Sequence, residues 1–318
     1  MNISIIIPTY NENKNIKPAI QELFGVLNRI PDINKVEIIV VDDHSSDDTF
    51  DVVKGINDSR VKCLRLSRRC GSHTAIRAGL KEAMGDVLLY ISVDGQDDPN
   101  CLINMLEKWR NGVQVVWALR TNSLDGPWHL QISAKLFYKL LIWLGGVEGT
   151  NINISRANFC LLDRTVIEAI NRCAERNTSL FGLIIWLGFN QDFVGYERRQ
   201  RRYGKSKWNL VSYLGLAKDW IVGFSGLPLT LISIVGFSVT SLSFLYGIYV
   251  LINFIAGKSI QNSSLIMLVV LLIGGIQMVM LGIIGEYLWN NLHEARRRPL
   301  FFIEKRSDGI NKDNRSLC

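Results

Sequence analysis

The first 120 residues alternate between short apolar runs and segments in which apolar residues recur every three or four positions. The runs are five to seven residues long and rich in Val and Ile, which is typical of strands buried on both faces of a parallel sheet. The segments between them have helical spacing, as at Ile16, Ile20 and Leu23. This alternation predicts an α/β layered domain, in which ligands bind at the carboxyl ends of the strands. The predicted strands cover Ile3–Ile7, Val36–Val41, Val61–Leu66, Val87–Val93 and Val113–Leu119.

Two long segments in the last third of the chain lack charge. Residues 220–257 and 259–285 contain no Asp, Glu, Lys, Arg or His, and about 20 apolar residues are enough to span a bilayer. The sequence therefore predicts two transmembrane helices at about 229–256 and 264–288. A buried helical hairpin in a soluble protein is the alternative. Arg and Lys flank both segments, so the positive-inside rule predicts both termini in the cytoplasm.

These patterns divide the chain into four parts. Residues 1–205 form the predicted cytoplasmic domain, 206–228 a juxtamembrane amphipathic helix, 229–288 the transmembrane pair and 289–318 a cytoplasmic tail. The juxtamembrane prediction rests on a basic, aromatic and apolar pattern that suits the membrane interface, with a surface helix packed on the core as the alternative. The first residues have the pattern of a strand and not of a signal peptide. We therefore expect a multi-pass protein of the plasma (inner) membrane.

Composition excludes some classes and leaves others open. Hydrophobic residues make up 48% of the chain and charged residues 20%, which excludes a wholly disordered protein. Lys and Arg outnumber Asp and Glu by 36 to 29, and the net charge of +7 suits nucleic acid, anionic lipid or a phosphorylated ligand. The basic residues cluster beside the uncharged segments, where anionic lipid explains them better, so no nucleic-acid partner is expected.

Polar motifs follow the first two predicted strands. Pro8, Tyr10 and Glu12 belong to a Pro-Thr-Tyr-Asn-Glu segment that would present backbone N–H groups and a ring to a ligand, although a plain strand–turn–helix junction also explains it. Asp42 and Asp43 end the second strand. Adjacent carboxylates are costly to bury unless they meet donors or a cation, and a carboxylate can accept the N–H of a uracil or guanine base. Capping of the next helix by this loop is an equal alternative.

The third motif, Ser-Val-Asp-Gly-Gln-Asp-Asp-Pro at 92–99, follows the fourth predicted strand. Oxygen ligands clustered on a turn suit Mg²⁺ or Mn²⁺ held together with substrate phosphates. Asp94 and Gln96 are the predicted metal ligands because they lie nearest the strand, whereas Asp97 and Asp98 are predicted to cap the following helix. An acidic turn that only caps this helix is the alternative.

In this order the motifs resemble those of glycosyltransferase family 2, which has the GT-A fold. The resemblance extends to Arg68-x-x-Gly71-x-x-x-Ala75. Farther along the chain, Arg201-x-x-Gly204-x-Ser206-Lys207 is similar to a loop of polyprenyl-phosphate glycosyltransferases, such as dolichol-phosphate mannose synthase. The two uncharged segments after that loop resemble the bacterial bactoprenol glucosyltransferases. The resemblance covers nearly the whole chain and implies a mostly parallel, Rossmann-like sheet with flanking helices.

The resemblance implies an inverting transfer of a hexose, expected to be glucose from UDP-glucose, to a polyprenyl phosphate such as undecaprenyl phosphate, for modification of cell-envelope glycans. It places Mg²⁺ or Mn²⁺ on Asp94 and Gln96, where the ion would offset charge on the departing diphosphate. A homo-oligomer, a pathway flippase and a second transferase are further expectations, and another donor, such as GDP-mannose, is the alternative. The implied catalytic residues are Asp94, Gln96, Arg201 and Lys207, and the implied substrate contacts are Pro8, Tyr10, Glu12, Asp42, Asp43, Arg68, Gly71, Ser92, Asp94, Arg120, Asn158, Arg201, Ser206 and Lys207.

Several residues depart from the family pattern. The family usually has Asp-Phe-Arg where this chain has Asn158 and Cys160 around a shared Phe, and an Asn cannot act as a base. Ser92 replaces an Asp, Arg69 replaces an Asn, and Gln131 replaces a basic residue. These differences leave open a non-catalytic membrane scaffold that binds a nucleotide sugar. A processive polysaccharide synthase is a weaker alternative because the sequence lacks the Gln-x-x-Arg-Trp motif.

Overall fold

The described residues form one sheet of eight strands, seven from the first 200 residues and one from near the carboxyl end of the chain. The computed structural model describes residues 1–121, 156–173, 175, 179–200, 202, 227–256, 263–296 and 298–307. The strand order across the sheet is β7-β5-β6-β4-β1-β2-β3-β8. The strands are β1 Asn2–Thr9, β2 Lys35–Asp42, β3 Val61–Leu66, β4 Val87–Tyr90, β5 Val115–Arg120, β6 Ala157–Asp163, β7 Gln191–Tyr196 and β8 Ile303–Arg306.

The central strands are parallel, and this decides where loops meet. β1 pairs in parallel with β2 and β4, β2 pairs with β3, and β5 pairs with β7. Their carboxyl ends therefore share one edge of the sheet. β6 runs antiparallel between β4 and β5, with Ala157 opposite Leu119. The amino end of β6 consequently lies at the same edge as the carboxyl end of β5.

In the described parts of the chain, six helices connect these strands or pack beside them. In α1 the apolar residues Ile16, Ile20 and Leu23 recur at helical spacing and are buried in the core. α3 packs closely on β1, because a Cβ at Gly79 would lie 2.7 Å from a side-chain carbon of Ile6. The helices are α1 Asn13–Leu27, α2 Thr49–Lys54, α3 Ser72–Glu82, α4 Cys101–Arg110, α5 Arg164–Arg172 and α6 Leu180–Trp186.

The five strands predicted from apolar runs are confirmed as β1 to β5; the bounds of β3 are as predicted, and no end of the other four is shifted by more than three residues. The prediction of a GT-A-like, mostly parallel α/β sheet is also confirmed. Three strands escaped the sequence analysis. The apolar run of β6 is only four residues long and that of β7 only two, which is shorter than the runs of five to seven that predicted β1 to β5. β8 lies after the uncharged segments, where we expected only a cytoplasmic tail. Pro8, expected to stop the first strand, lies inside β1 opposite Val41.

Two long helices follow the sheet strands in the sequence. α7 spans Leu227–Ile255, α8 spans Ser263–Ala295, and they contact each other near Gly236 and Met280. Many of their apolar side chains are exposed, including Phe237 and Met278. Within the described parts of the chain, no helix meets the requirements of length and apolarity for crossing a membrane. The predicted transmembrane hairpin is therefore not confirmed, and most of the predicted juxtamembrane helix lies outside the described residues.

Candidate active site

The carboxyl edge of the sheet gathers most of the motifs that the sequence analysis selected. The loops after β1 and β2 are joined by hydrogen bonds: the Asn11 N–H donates to Ser45 Oγ, and the Ser46 N–H donates to Asn11 Oδ1. Asn11 therefore joins these two loops, and Glu12 holds the N-cap position of α1. The result is a continuous surface of polar loops above β1 and β2.

Asp42 lies beneath this surface. Its carboxylate is fully buried, and it accepts from the Ser45 N–H at 2.9 Å and from Arg65 Nη1 at 2.9 Å. Arg65 also contacts Glu304 on β8 at 3.1 Å. Asp42 thus organises the loop after β2 and ties it to the strand that the sequence analysis missed.

Asp43 connects the loop after β2 to the loop after β3. Its two carboxylate oxygens accept from the backbone N–H groups of Cys70 at 2.6 Å and Gly71 at 2.8 Å. Burial raises the pKa of Asp43 above the ordinary aspartate value, and these two N–H groups oppose the rise. Gly71 has φ of +91°, which L side chains rarely adopt, so the loop geometry requires glycine there. Each carboxylate oxygen keeps a further lone pair for a ligand N–H or O–H.

An aromatic–cation pair lies next to this loop. The Arg69 guanidinium stacks over the Tyr10 ring, 4.2 Å from its centre. Arg68 is exposed in the same loop. Glu12 serves the start of α1, where its N–H donates to Thr49 Oγ1 at 3.0 Å and its carboxylate accepts from Asn15. The structure therefore brings Tyr10, Arg69 and Asp43 into one neighbourhood.

The acidic turn after β4 is the most polar part of this edge. Ser92 Oγ lies 2.8 Å from Asp94 Oδ1 and 2.6 Å from Asp97 Oδ2. A hydroxyl has one proton, so Ser92 can fully satisfy only one of the two carboxylates at a time. Asp94 Oδ1 also accepts the Gln96 N–H at 3.1 Å. Two nearly buried carboxylates thus share one hydroxyl, and a cation at this turn would relieve their repulsion.

This donor set fits a divalent cation that is shared with a phosphorylated substrate. Among the described residues, no group of three or more His, Cys, Asp or Glu side chains is arranged to hold a metal. Mg²⁺ and Mn²⁺ bound with substrate phosphates need only one or two protein oxygens. Asp94 and Gln96, the two predicted ligands, are neighbours on the turn, where the Gln96 N–H donates to Asp94 Oδ1, and their role as metal ligands stays a prediction.

Asp97 has a different role from the cap that we predicted. Its side chain accepts from Tyr196 Oη at 2.7 Å and from Asn158 Nδ2 at 3.1 Å, in addition to Ser92. Asp98 accepts the Asn100 N–H at 3.0 Å just before α4, but Asn100 holds the N-cap position, so the predicted capping role is not confirmed for Asp98 either. Asp97 therefore joins the acidic turn to β6 and β7, because a buried carboxylate needs several donors.

Tyr196 and Arg120 complete this part of the site. Burial and the neighbouring Asp97 raise the pKa of the Tyr196 hydroxyl far above its ordinary value, so it remains a donor, while the positive charge of Arg120 opposes that rise. Arg120 ends β5. This strand pairs on one side with β6, which carries Asn158, and on the other side with β7, which carries Tyr196. The structure thus brings Arg120, Asn158 and the acidic turn together from three separate parts of the chain.

Arginines that follow β7 cross the acidic turn. The Arg199 N–H donates to the Gln96 carbonyl at 2.9 Å, and the Arg202 N–H donates to the Asp94 carbonyl at 3.2 Å. The Arg198 side chain donates to Gln96 Oε1 at 2.6 Å. The sequence analysis noted the basic stretch but assigned no role to Arg198. The predicted phosphate-binding residues Arg201, Ser206 and Lys207, and the departure at Gln131, lie outside the described residues.

Comparison with known proteins agrees with this geometry. Residues 4–167 match the family described as glycosyl transferase family 2. A glycosyltransferase of Bacillus subtilis named YkcC is 35% identical, over 95% of this chain and 93% of that protein. The SfII prophage-derived bactoprenol glucosyl transferase of Shigella flexneri is 32% identical, over 97% of this chain and 99% of that protein. The crystal structure of glucosyl-3-phosphoglycerate synthase from Mycobacterium tuberculosis is similar with a TM-score of 0.48 and 18% identity, covering 70% of this chain and 76% of that chain.

The family match and the relatives that cover nearly the whole chain define the class of enzyme. The chain belongs to glycosyl transferase family 2. Its relatives over nearly the full length include several named bactoprenol glucosyl transferases, as we expected from the motifs.

Proposed function

We propose that the protein transfers glucose from UDP-glucose to a polyprenyl phosphate, with inversion at the anomeric carbon. The observation that carries the proposal is the acidic turn at the carboxyl end of β4, crossed by arginines that follow β7. Carboxylates there suit a divalent cation, and guanidinium groups suit phosphates. The names of the relatives supply the glucosyl group and the lipid acceptor.

On the donor side, Asp94 and Gln96 would hold Mg²⁺ or Mn²⁺, which supplies electrostatic stabilisation of the departing diphosphate. Asp43 would accept hydrogen bonds from the base or ribose through its remaining lone pairs. The Tyr10 ring, held by Arg69, offers a flat surface beside Asp43. Asp42 would act indirectly, because both its oxygens are used to shape the loop.

On the acceptor side, the residues position the substrate and do not remove a proton. A phosphate monoester has a second pKa near 6, so it is largely ionised near neutral pH and needs no strong base to act as a nucleophile. This makes Asn158 compatible with turnover. Arg120, at the end of β5, would attract the acceptor phosphate, with Arg201, Ser206 and Lys207 proposed as further phosphate contacts.

We further propose that the protein works at the inner membrane, with residues 1–205 on the cytoplasmic side. Exposed apolar side chains along α7 and α8 support membrane attachment, because contiguous apolar surface of this kind is rare on soluble monomers. The lipid product would then require a flippase and a second transferase, and a homo-oligomer is part of the proposal.

The test uses the full-length protein in liposomes with labelled UDP-glucose, undecaprenyl phosphate and Mn²⁺ or Mg²⁺. Label in the organic extract should depend on lipid, metal and nucleotide sugar. Asp94→Asn should lower the rate by about 100-fold, the usual effect of losing an electrostatic contact in the transition state. Asp58→Asn is the matched control, since Asp58 pairs only with Arg60 at the surface among described contacts.

A panel of other donors, including GDP-mannose, extends the test. Transfer from another donor would correct the sugar and keep the reaction class. Binding of donors with no transfer from any of them would overturn the proposal and support the non-catalytic scaffold.

A further inference from the structure

Arg198 has an unusual position beside the proposed metal ligands. The described residues 197–200 and 202, which we call the arginine strap, are fixed to the acidic turn by backbone hydrogen bonds. The Arg199 and Arg202 N–H groups donate to the carbonyls of Gln96 and Asp94. The strap therefore lies over the turn whichever way the Arg198 side chain points.

Two nitrogens of the Arg198 guanidinium differ in their hydrogen bonding. Its Nη2 donates to Gln96 Oε1 at 2.6 Å. Its Nε is buried and has no hydrogen-bond partner among the described residues. A buried N–H without an acceptor costs free energy, so an oxygen ligand that reached it would be bound favourably.

The neighbouring arginines are paired elsewhere. Arg199 forms ion pairs with Glu22 and with Asp98, and Arg202 pairs with Glu22. These contacts do not involve the Gln96 side chain. They hold the strap in place while leaving Arg198 as the arginine whose side chain contacts a proposed metal ligand, within the described residues.

A guanidinium and a metal ion compete for the same amide oxygen. Both are cations, and both bind through the lone pairs of Gln96 Oε1. We propose that Arg198 occupies Gln96 in the absence of metal, and that metal binding releases its guanidinium to the diphosphate of the donor. The phosphate oxygens would then satisfy the buried Nε. Arg198 is thus a donor-binding residue that links metal binding to diphosphate binding; this inference rests on the proposed function.

The experiment measures Mn²⁺ binding to the full-length protein by electron paramagnetic resonance of free Mn²⁺, without nucleotide. Arg198→Ala should bind Mn²⁺ about tenfold more tightly than wild type, the equivalent of one charge-assisted hydrogen bond. In saturating Mn²⁺ the same variant should bind UDP about tenfold more weakly, because the diphosphate loses its partner. Arg198→Gln, which keeps a donor but loses the charge, should lie between wild type and Arg198→Ala in both measurements.

Two controls separate the direct contact from general charge and folding effects. Arg199→Ala removes the same charge from the same strap without touching the Gln96 side chain, and should change Mn²⁺ affinity by less than about threefold. In a Gln96→Ala background, Arg198→Ala should no longer change Mn²⁺ affinity. Thermal unfolding of each variant shows whether it is folded.

The outcomes distinguish this inference from the proposed function. If Arg198→Ala and Arg199→Ala change Mn²⁺ affinity equally, or if the Arg198→Ala effect persists without Gln96, the exchange is wrong although the glycosyltransferase proposal stands. If wild type binds Mn²⁺ neither alone nor with UDP, the metal assignment fails, and the exchange fails with it.

Discussion

The acceptor-side residue that departs from the family pattern offers a sharp test of the structure. Asn158 Nδ2 donates to Asp97 Oδ1 at 3.1 Å and lies 2.9 Å from the Tyr196 hydroxyl. In Asn158→Asp an oxygen replaces that nitrogen, so a donor becomes an acceptor that faces a carboxylate only 5% exposed. Restoring the family's usual Asp should therefore destabilise this chain, because two carboxylates in contact cannot both ionise without penalty.

The size of the penalty follows from the distance of 3.1 Å between Asn158 Nδ2, which the new oxygen replaces, and Asp97 Oδ1. Repulsion between unit charges at that distance is about 5 kcal/mol with an effective dielectric constant of about 20. Protonating one carboxyl avoids the repulsion, at about 1.4 kcal/mol for each pH unit above an ordinary aspartate pKa of about 4. The loss of stability is then about 5 kcal/mol near pH 8 and about 1.5 kcal/mol near pH 5. The folded-state pKa of the pair is raised, so stability is retained at low pH and lost as pH rises.

Thermal unfolding of wild type and Asn158→Asp in detergent, between about pH 5 and pH 8, measures this effect. The melting temperature of the variant should be lower than that of wild type by about 10 °C or more near pH 8, and by much less near pH 5. Asn158→Leu is the control, because it removes the amide without adding charge and should lose stability equally at both pH values. If Asn158→Asp melts like wild type near pH 8, or loses as much near pH 5, Asp97 is not its charged neighbour and the reasoning is refuted.

Two further predictions concern stability. His73 is partly buried and stacks on the Phe181 ring, and its desolvation lowers its pKa to about 4. Folding therefore favours the neutral form of His73. The free energy of unfolding of wild type should fall by up to about 3 kcal/mol as pH falls from about 6.5 toward 4. His73→Asn should lack this loss when the melting curves of the two proteins are compared. Gly79→Ala should destabilise the chain by about 1–3 kcal/mol, because its methyl group meets Ile6 at 2.7 Å. Gly25→Ala, with no atom within 4 Å of its Cβ, should instead stabilise helix α1 by up to about 1 kcal/mol in chemical unfolding; equal effects of the two changes would contradict the packing.

Several features of the site were accessible from local pattern. Continuous apolar runs identified β1 to β5, because a strand buried on both faces needs apolar residues at every position. Once these strands were identified, the polar motifs that follow β1, β2 and β4 could be predicted to form a site, since parallel strands bring their carboxyl ends to one edge. The acidic turn was selected for these reasons, whereas Gly71 was selected only through the resemblance to the family, and both lie at that edge.

Other features depended on how distant segments pack. From the sequence we predicted that Asp97 caps a helix, because an acidic residue before a helix usually caps it. Its true partners, Asn158 and Tyr196, are 61 and 99 residues away and arrive on β6 and β7. No local signal distinguishes Arg198 from the other arginines in its stretch.

The sequence by itself determined the α/β class, the strand ends that bear chemistry and the family, because burial and turn formation depend on neighbouring residues. The tertiary structure decided which of these polar groups meet. Antiparallel insertion of β6 between β4 and β5 places Asn158 beside Asp97. The path of the chain after β7 places Arg198 on Gln96, 102 residues away. Such contacts depend on strand order, which follows from how the whole core packs and not from any single segment.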